Sequence, residues 1–380
     1  MPSADDLICA ALRGEPVPWP WHDDPQAGTR LLARAAQHGV GALLHDRKPA
    51  PGWPAEVLQA LRQQAVQQAM WELRHQQVMA QALASLAGVG ACPVLLKGTA
   101  LAYSLYPNPV LRTRGDTDML VAEPALPAAD GALRALGFVR AVGVSGEFVS
   151  YQASYTLDTP QGGSHTIDLH WKINNSQLLS TLFSHDELLR DAQPLPALGP
   201  QALAPSPAQA LLVACMHRST HKQNPYYVDG APQYEGDRLI WLYDLHLLAS
   251  CLSADEWNQF TRLAAQKGLR AVCLDGIAAT SARYHTSFPA AVLSALGSGG
   301  PVEPVAVYLD GSKLRQQWMD FLALRGWADR LRFIRELFFP SADYMRHKYS
   351  QPGHHWLPWL YLRRAAGGLL KGLVGNRSAP

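Results

Sequence analysis

The apolar period of the chain changes at about residue 90, and that change limits the possible folds more than any other feature. Before it, Leu58, Leu61, Ala65, Ala69 and Leu73 recur every three or four positions, as on one helix face, and Pro54 sits where a first helical turn tolerates it. Gly88 and Gly90 stop that pattern. Val94-Leu95-Leu96 then reads as a short strand, Lys97-Gly98-Thr99 as a turn and residues 100–106 as a helix, closed by Pro107-Asn108-Pro109. Residues 111–121 alternate with period two, which predicts a strand carrying Arg112, Arg114, Asp116 and Asp118 on one face. Thr113, Thr117, Met119 and Val121 fall on the other. Two more strands are predicted, over 148–157 and 165–173. In the second, Ile167, Leu169, Trp171 and Ile173 point one way and Thr166, Asp168, His170 and Lys172 the other.

Five prolines fall between residues 193 and 207, a density that neither helix nor central strand accepts, and the chain reads helical again from residue 208. The expected division is therefore a helical region over 1–90, an α+β catalytic domain over 91–192 and a helical domain over 208–380. The 380 residues are 48% hydrophobic and 17% charged, which excludes disorder as the main state. A formal net charge of +2 excludes a blanket nucleic-acid coat, but the charge is unevenly spread. Residues 312–380 hold 12 Lys and Arg against 4 Asp and Glu, a net +8, and leave −6 for the rest. Five scattered cysteines without a Cys-x-x-Cys pair encode neither a disulfide framework nor a zinc knuckle and fit a reducing compartment. No leader pattern opens the chain and no run reaches the ~18 apolar residues that cross a bilayer, so the expectation is a cytoplasmic protein without a membrane span.

Asp116, Asp118 and Asp168 are the candidate chemical centre. Three carboxylates facing one way repel, and a hard divalent cation, Mg²⁺ or Mn²⁺, is their natural counterion. Gly98 permits close backbone approach, and the amides opening the following helix supply donors for phosphate oxygens. Lys97, Arg112 and Arg114 add fixed positive charge that an anionic transition state would use.

These residues carry a resemblance. The string Leu95-Leu96-Lys97-Gly98-Thr99-Ala100-Leu101, then Tyr106-Pro107, Arg112-x-Arg114-Gly115-Asp116-x-Asp118-Met119-Leu120-Val121 and Ile167-Asp168-Leu169-His170-Trp171, resembles the uncharacterised nucleotidyltransferase family of the DNA polymerase β-like superfamily. Weaker echoes lie in Asp237-Arg238-x-x-x-Trp241-Leu242-x-Asp244-Leu245 and in Phe339-Pro340. The resemblance implies a mixed sheet backed by helices, and transfer of a nucleoside monophosphate from an NTP, ATP by default, with release of pyrophosphate. It assigns Gly98 and Thr99 to the triphosphate, with Lys97, Arg112 and Arg114 beside it. Asp116 and Asp118 fall to the metals, and Asp168 to the acceptor-side metal. The turn reads Lys-Gly-Thr where the superfamily has Gly-Ser, a departure that bears on the phosphate contacts. The acceptor would be a peptide or protein, or a small molecule such as an aminoglycoside-like compound or sugar alcohol, with RNA ranked below these.

His217 and His221, four apart on a helix, could ligate zinc but lack a third ligand nearby; a plain helix-face position or contact with a nucleobase ranks above zinc, and His217 is a candidate base or acceptor contact. Asp244, in an apolar helix, requires a partner, for which His217, His221 and Arg238 are candidates; an acceptor contact is its minority reading. His170 shares the face of Asp168 and could touch phosphate or acceptor. Residues 226–236 read as a lid or acceptor loop. Two rival readings remain: a catalytically silent nucleotide-binding scaffold, and a nucleic-acid-binding protein acting through the basic C-terminal region.

Overall fold

The computed structural model describes residues 1–47, 52–143, 146, 148–159, 163–222, 226–228, 231–233, 236–300, 302–349 and 356–374. Helices α1 (Ala4–Leu12), α2 (Ala27–His38), α3 (Gly41–Asp46) and the long α4 (Ala55–Gly88) lead into strand β1 (Val94–Leu96). Helix α5 (Lys97–Ser104) and a 3-10 turn over Pro109–Leu111 separate β1 from β2 (Asp116–Leu120). Helix α6 (Leu126–Ala135) and strands β3 (Val139–Arg140) and β4 (Gln152–Asp158) precede β5 (Ser164–His170). Helix α7 (His185–Arg190) and the two-residue strands β6 (Gln193–Pro194) and β7 (Leu203–Ala204) complete this part. Helices α8 (Pro207–His221), α9 (Leu239–Cys251), α10 (Ala254–Lys267), α11 (Arg270–Tyr284), α12 (Ala290–Gly297) and α13 (Pro304–Leu309) follow. The chain continues through α14 (Lys313–Ala323), α15 (Trp327–Phe338), α16 (Ala342–Tyr349) and α17 (Leu357–Val374). The protein is thus α+β with a mixed seven-stranded sheet flanked by helices, as expected.

The sheet order is β3-β4-β5-β2-β1-β7-β6. β2 and β5 run parallel, as do β1 and β7, while β1/β2, β3/β4, β4/β5 and β6/β7 are antiparallel. A parallel β2/β5 pair needs a crossover, and α6 lies in that connection, covering one sheet face. Alternation then sorts the residues between two cores. Leu95, Met119, Ile167 and Leu169 pack with α4 and α6 through Met79, Leu83, Leu86 and Leu133. Val94, Leu96 and Leu120 turn the other way and join a larger core to which both the first helices (Leu7, Leu31, Leu44) and the later ones (Leu212, Leu242, Ile277) contribute. The acidic positions of β2 and β5 lie on that second face.

Three local expectations change. The strand expected over 111–121 starts only at Asp116, because Pro109–Leu111 forms a 3-10 turn whose amide is capped by the Asn108 side chain. Arg112 and Arg114 consequently lie in a loop and not on the strand face. The proline-rich segment contributes β6 and β7 at the sheet edge, where a missing N–H is tolerated. On α4, Leu58 and Leu73 are exposed, and the face that packs carries Val57, Leu61, Glu72, His75 and Met79. Residues 229, 230, 234 and 235 of the 226–236 loop lie outside the described residues; 226–228 and 231–233 pair as a short antiparallel ribbon.

Candidate active site

Period two on β2 puts Asp116 and Asp118 on one face, and the parallel pairing with β5 sets Asp118 beside Asp168 and Leu120 beside His170. Donor atoms of Asp118, Asp168 and His170 lie within 4.8 Å of one another, the one such His, Cys, Asp or Glu group among the described residues. His170 Nε2 is 2.9 Å from Asp118 Oδ1. Ser154 Oγ donates to Asp168 Oδ1, and Gln152 Nε2 donates to Asp168 Oδ2 at 3.3 Å. Both come from β4, whose Gln152 and Ser154 pair in register with His170 and Asp168.

Lys97 opens α5 directly after β1 with φ of 52°, in the left-handed region that a non-glycine residue occupies only when its surroundings impose it. Its Nζ donates to Asp118 Oδ1 at 2.7 Å. The first turn of α5 has no side-chain cap at Leu96. A Cβ added at Gly98 would make only ordinary contact, 3.5 Å, with the Arg114 side chain, so the packing itself does not demand glycine there.

Electrostatics separate the two β2 carboxyls. Burial raises both, but for Asp118 the Lys97 ammonium and the hydrogen bond from His170 overcome it and hold the carboxyl well below the usual range. Asp116, open to solvent on one side and surrounded by protein on the others, is pushed up to about 6 by burial and by the Asp118 and Asp168 carboxylates, against the pull of Lys97 and Arg112. Burial lowers the Lys97 ammonium's proton affinity, yet Asp118, Asp116 and Asp168 together raise it above its ordinary value.

The remaining expected residues fall in two other places. Arg112 Nε and Nη2 donate to Asp244 Oδ1 and Oδ2 at 2.8 and 2.7 Å, and Tyr106 Oη donates to Oδ1 at 2.8 Å. The partner of Asp244 is therefore Arg112 with Tyr106, and not His217, His221 or Arg238. Arg114 turns toward α4: Nη2 donates to Glu72 Oε1 at 2.7 Å, Nε to Thr99 Oγ1 at 3.0 Å, and the guanidinium lies against Trp71 and Tyr103. Thr99 Oγ1, fully buried, lies 2.8 Å from Thr117 Oγ1, which lies 2.9 Å from His75 Nε2, so the hydroxyl of the turn faces inward.

A cleft open to solvent adjoins the cluster and shares Lys97 with it. Ala100, Leu101, Val213 and Ala214 form apolar walls, and Arg112, Asp244, His217 and Trp241 bring polar groups. Burial, then His221 and Lys97, hold the His217 imidazole well below its ordinary value; burial and Lys97 lower His221 to about 4. The neutral His217 imidazole and the Trp241 indole, edge-on to it at 5.4 Å, thus line the cleft from α8 and α9, with the His221 ring 4.5 Å from that of His217.

The family model described as an uncharacterised nucleotidyltransferase matches residues 24–285, more than half of the chain. The chain belongs to this family. No curated protein matches it. The match takes in the sheet, the acidic cluster and the cleft helices α8 and α9, and marks the protein as a nucleotidyltransferase, an enzyme acting on an NTP. Nucleotidyltransferases typically act with a divalent cation, and the residues present fit one: Asp118 and Asp168 are hard oxygen donors in register beside His170, with Asp116 on the same strand face.

Glu72, His75, Gln152 and Ser154 were not singled out from sequence. Gln152, Ser154 and Thr156 alternate with Ala153, Tyr155 and Leu157, a period-two signal that marks the polar face of β4. Glu72 and His75, three apart, could be recognised only as polar interruptions of an apolar helix.

Proposed function

We propose that this nucleotidyltransferase moves an NMP, AMP in the first instance, from an NTP to an acceptor hydroxyl on a peptide, protein or small molecule, with release of pyrophosphate. The observation that carries the reading is the side-by-side pairing of Asp118 and Asp168 across parallel β2 and β5, directly against the opening of α5. Asp116, Asp118 and Asp168 would hold Mg²⁺ or Mn²⁺, which when bound withdraws charge from the triphosphate and the acceptor hydroxyl. The uncapped amides of α5 and the bare Gly98 receive phosphate oxygens, and Lys97 neutralises them. Thr99, bonded inward, fixes the turn and does not itself reach the ligand. Arg112 lends positive charge to the cleft wall while Asp244 holds its plane; Arg114 braces the loop before β2 against α4. His170 orients Asp118, and His217 with Trp241 lines the place for a base or acceptor.

In the transfer, the acceptor oxygen forms a bond to the α-phosphorus as the bond from that phosphorus to the bridging oxygen breaks. Pyrophosphate leaves, and the hydroxyl proton passes to the carboxylate side at Asp168. Positioning and fixed charge supply most of the acceleration. The test is incubation with α-labelled NTPs, Mg²⁺ and a cell extract. Label attached to an acceptor by the native chain and not by Asp118→Asn is the expected result. Tight nucleotide binding without pyrophosphate from any acceptor would replace the enzyme with a silent nucleotide-binding scaffold.

A further inference from the structure

The C-terminal helices carry apolar surface that the two cores do not use. On α14, Leu314, Trp318 and Leu322 recur at four-residue spacing and are 75, 59 and 50% exposed. On α15, Trp327, Leu331, Ile334 and Phe338 follow the same helical rhythm, with Trp327 and Leu331 71 and 64% exposed. Lys313, Arg315, Arg325, Arg332 and Arg335 on and between these helices are exposed as well. Of the three acids on these helices, Asp329 is exposed, Glu336 pairs with Arg332 at 3.3 Å, and Asp320 and Glu336 also make bonds that point inward. Asp320 accepts from Ser176 Oγ, Leu178 N–H and Tyr308 Oη, and Glu336 accepts from Phe148 N–H. Those bonds tether α14 to the segment after β5 and α15 to the segment before β4, so the outward face is held in one orientation.

We propose that α14 and α15 form a face that seats on an anionic lipid bilayer without crossing it. Helices that expose Trp, Phe and Leu beside Arg and Lys bury the apolar side chains at the headgroup boundary while the cations meet anionic lipids. A nucleic acid would satisfy the charge but not Leu314, Leu322, Leu331 and Ile334. A second copy of the same face would bring like charge against like, since residues 312–339 hold six Lys and Arg against three Asp and Glu. No helix among the described residues is long and apolar enough to span a membrane, so the association is peripheral.

The test floats the full chain with vesicles of pure phosphatidylcholine or with about 30% phosphatidylglycerol, at low salt and at about 0.5 M salt. The expected result is co-flotation with the anionic vesicles, weakened by salt and accompanied by a blue shift of tryptophan emission. Joint Trp318→Ala and Leu331→Ala substitution lowers the partition about tenfold or more with an unchanged thermal melt. A second variant, Arg325→Glu with Arg335→Glu, touches no apolar contact and lowers binding to anionic vesicles alone. Absence of flotation with either vesicle overturns the proposal, as does flotation indifferent to both variants. Salt-sensitive binding of single-stranded RNA in place of vesicles would also overturn it.

Discussion

Asp116 and Asp118 stand two residues apart on one strand face, yet their surroundings drive their protons in opposite directions. Asp118 is held ionised by Lys97 and His170, whereas Asp116, pushed up to about 6, keeps its proton longer than the unfolded chain would. Between the ordinary carboxylate value and about 6 the folded state therefore binds more protons at Asp116, and that contribution to stability declines as pH rises through the window. A bound cation reverses the effect by favouring the ionised form. Added Mg²⁺ should accordingly raise the melting temperature more at pH 7.5 than at pH 5; an equal rise at both would contradict the placement of Asp116 in the cation site. Asp118→Asn or Asp168→Asn should reduce transfer at least about a thousandfold, read as initial rate of label incorporation, while the circular dichroism spectrum stays native. Period two made the shared face of Asp116 and Asp118 legible in the sequence, whereas setting Asp168 beside Asp118 takes the parallel β2/β5 register, which residue spacing does not give. The role of Lys97 was also less legible: its reach to Asp118 depends on a left-handed turn that residue identity does not announce.

At the scale of elements, buried charge pairs fix how the loop before β2 meets its neighbours. Arg112 and Asp244 are 6 and 3% exposed, and Arg114 pairs with Glu72 of α4 in a similarly closed setting. Removing one member strands the other, so Asp244→Asn should lower unfolding free energy by about 3 kcal/mol or more in a urea titration. Loss of activity with unaltered stability would instead make Asp244 a ligand contact. The sequence showed that Asp244 needed a partner, but candidates were sought nearby, and Arg112 lies 132 residues away. Alternation likewise suggested a strand from residue 111, whereas the Pro109–Leu111 turn delays β2 to Asp116 and the loop between carries Arg112 to α9 and Arg114 to α4. On α4, spacing alone pointed to Leu58 and Leu73, which the fold leaves in solvent, because the helix face was decided by the sheet it covers.

At the scale of the whole molecule, the sheet lies between two cores, and the cleft opens where α5 and the sheet meet α8 and α9. A non-hydrolysable NTP analogue with Mg²⁺ should slow amide exchange in the first turn of α5 and along α8, leaving α1 to α3 unchanged; protection confined to α1 to α3 would move the nucleotide elsewhere. The sheet order could not be read from sequence, since β6 and β7 are two residues each and sit in a stretch whose prolines argue against strands. The Lys97 ammonium between the acidic side chains has a consequence for handling the protein. A chain that supplies its own counter-ion does not depend on an added one to stay folded. Prolonged EDTA treatment should therefore silence it without unfolding or precipitating it, and replenished Mn²⁺ should restore transfer within the dead time of mixing.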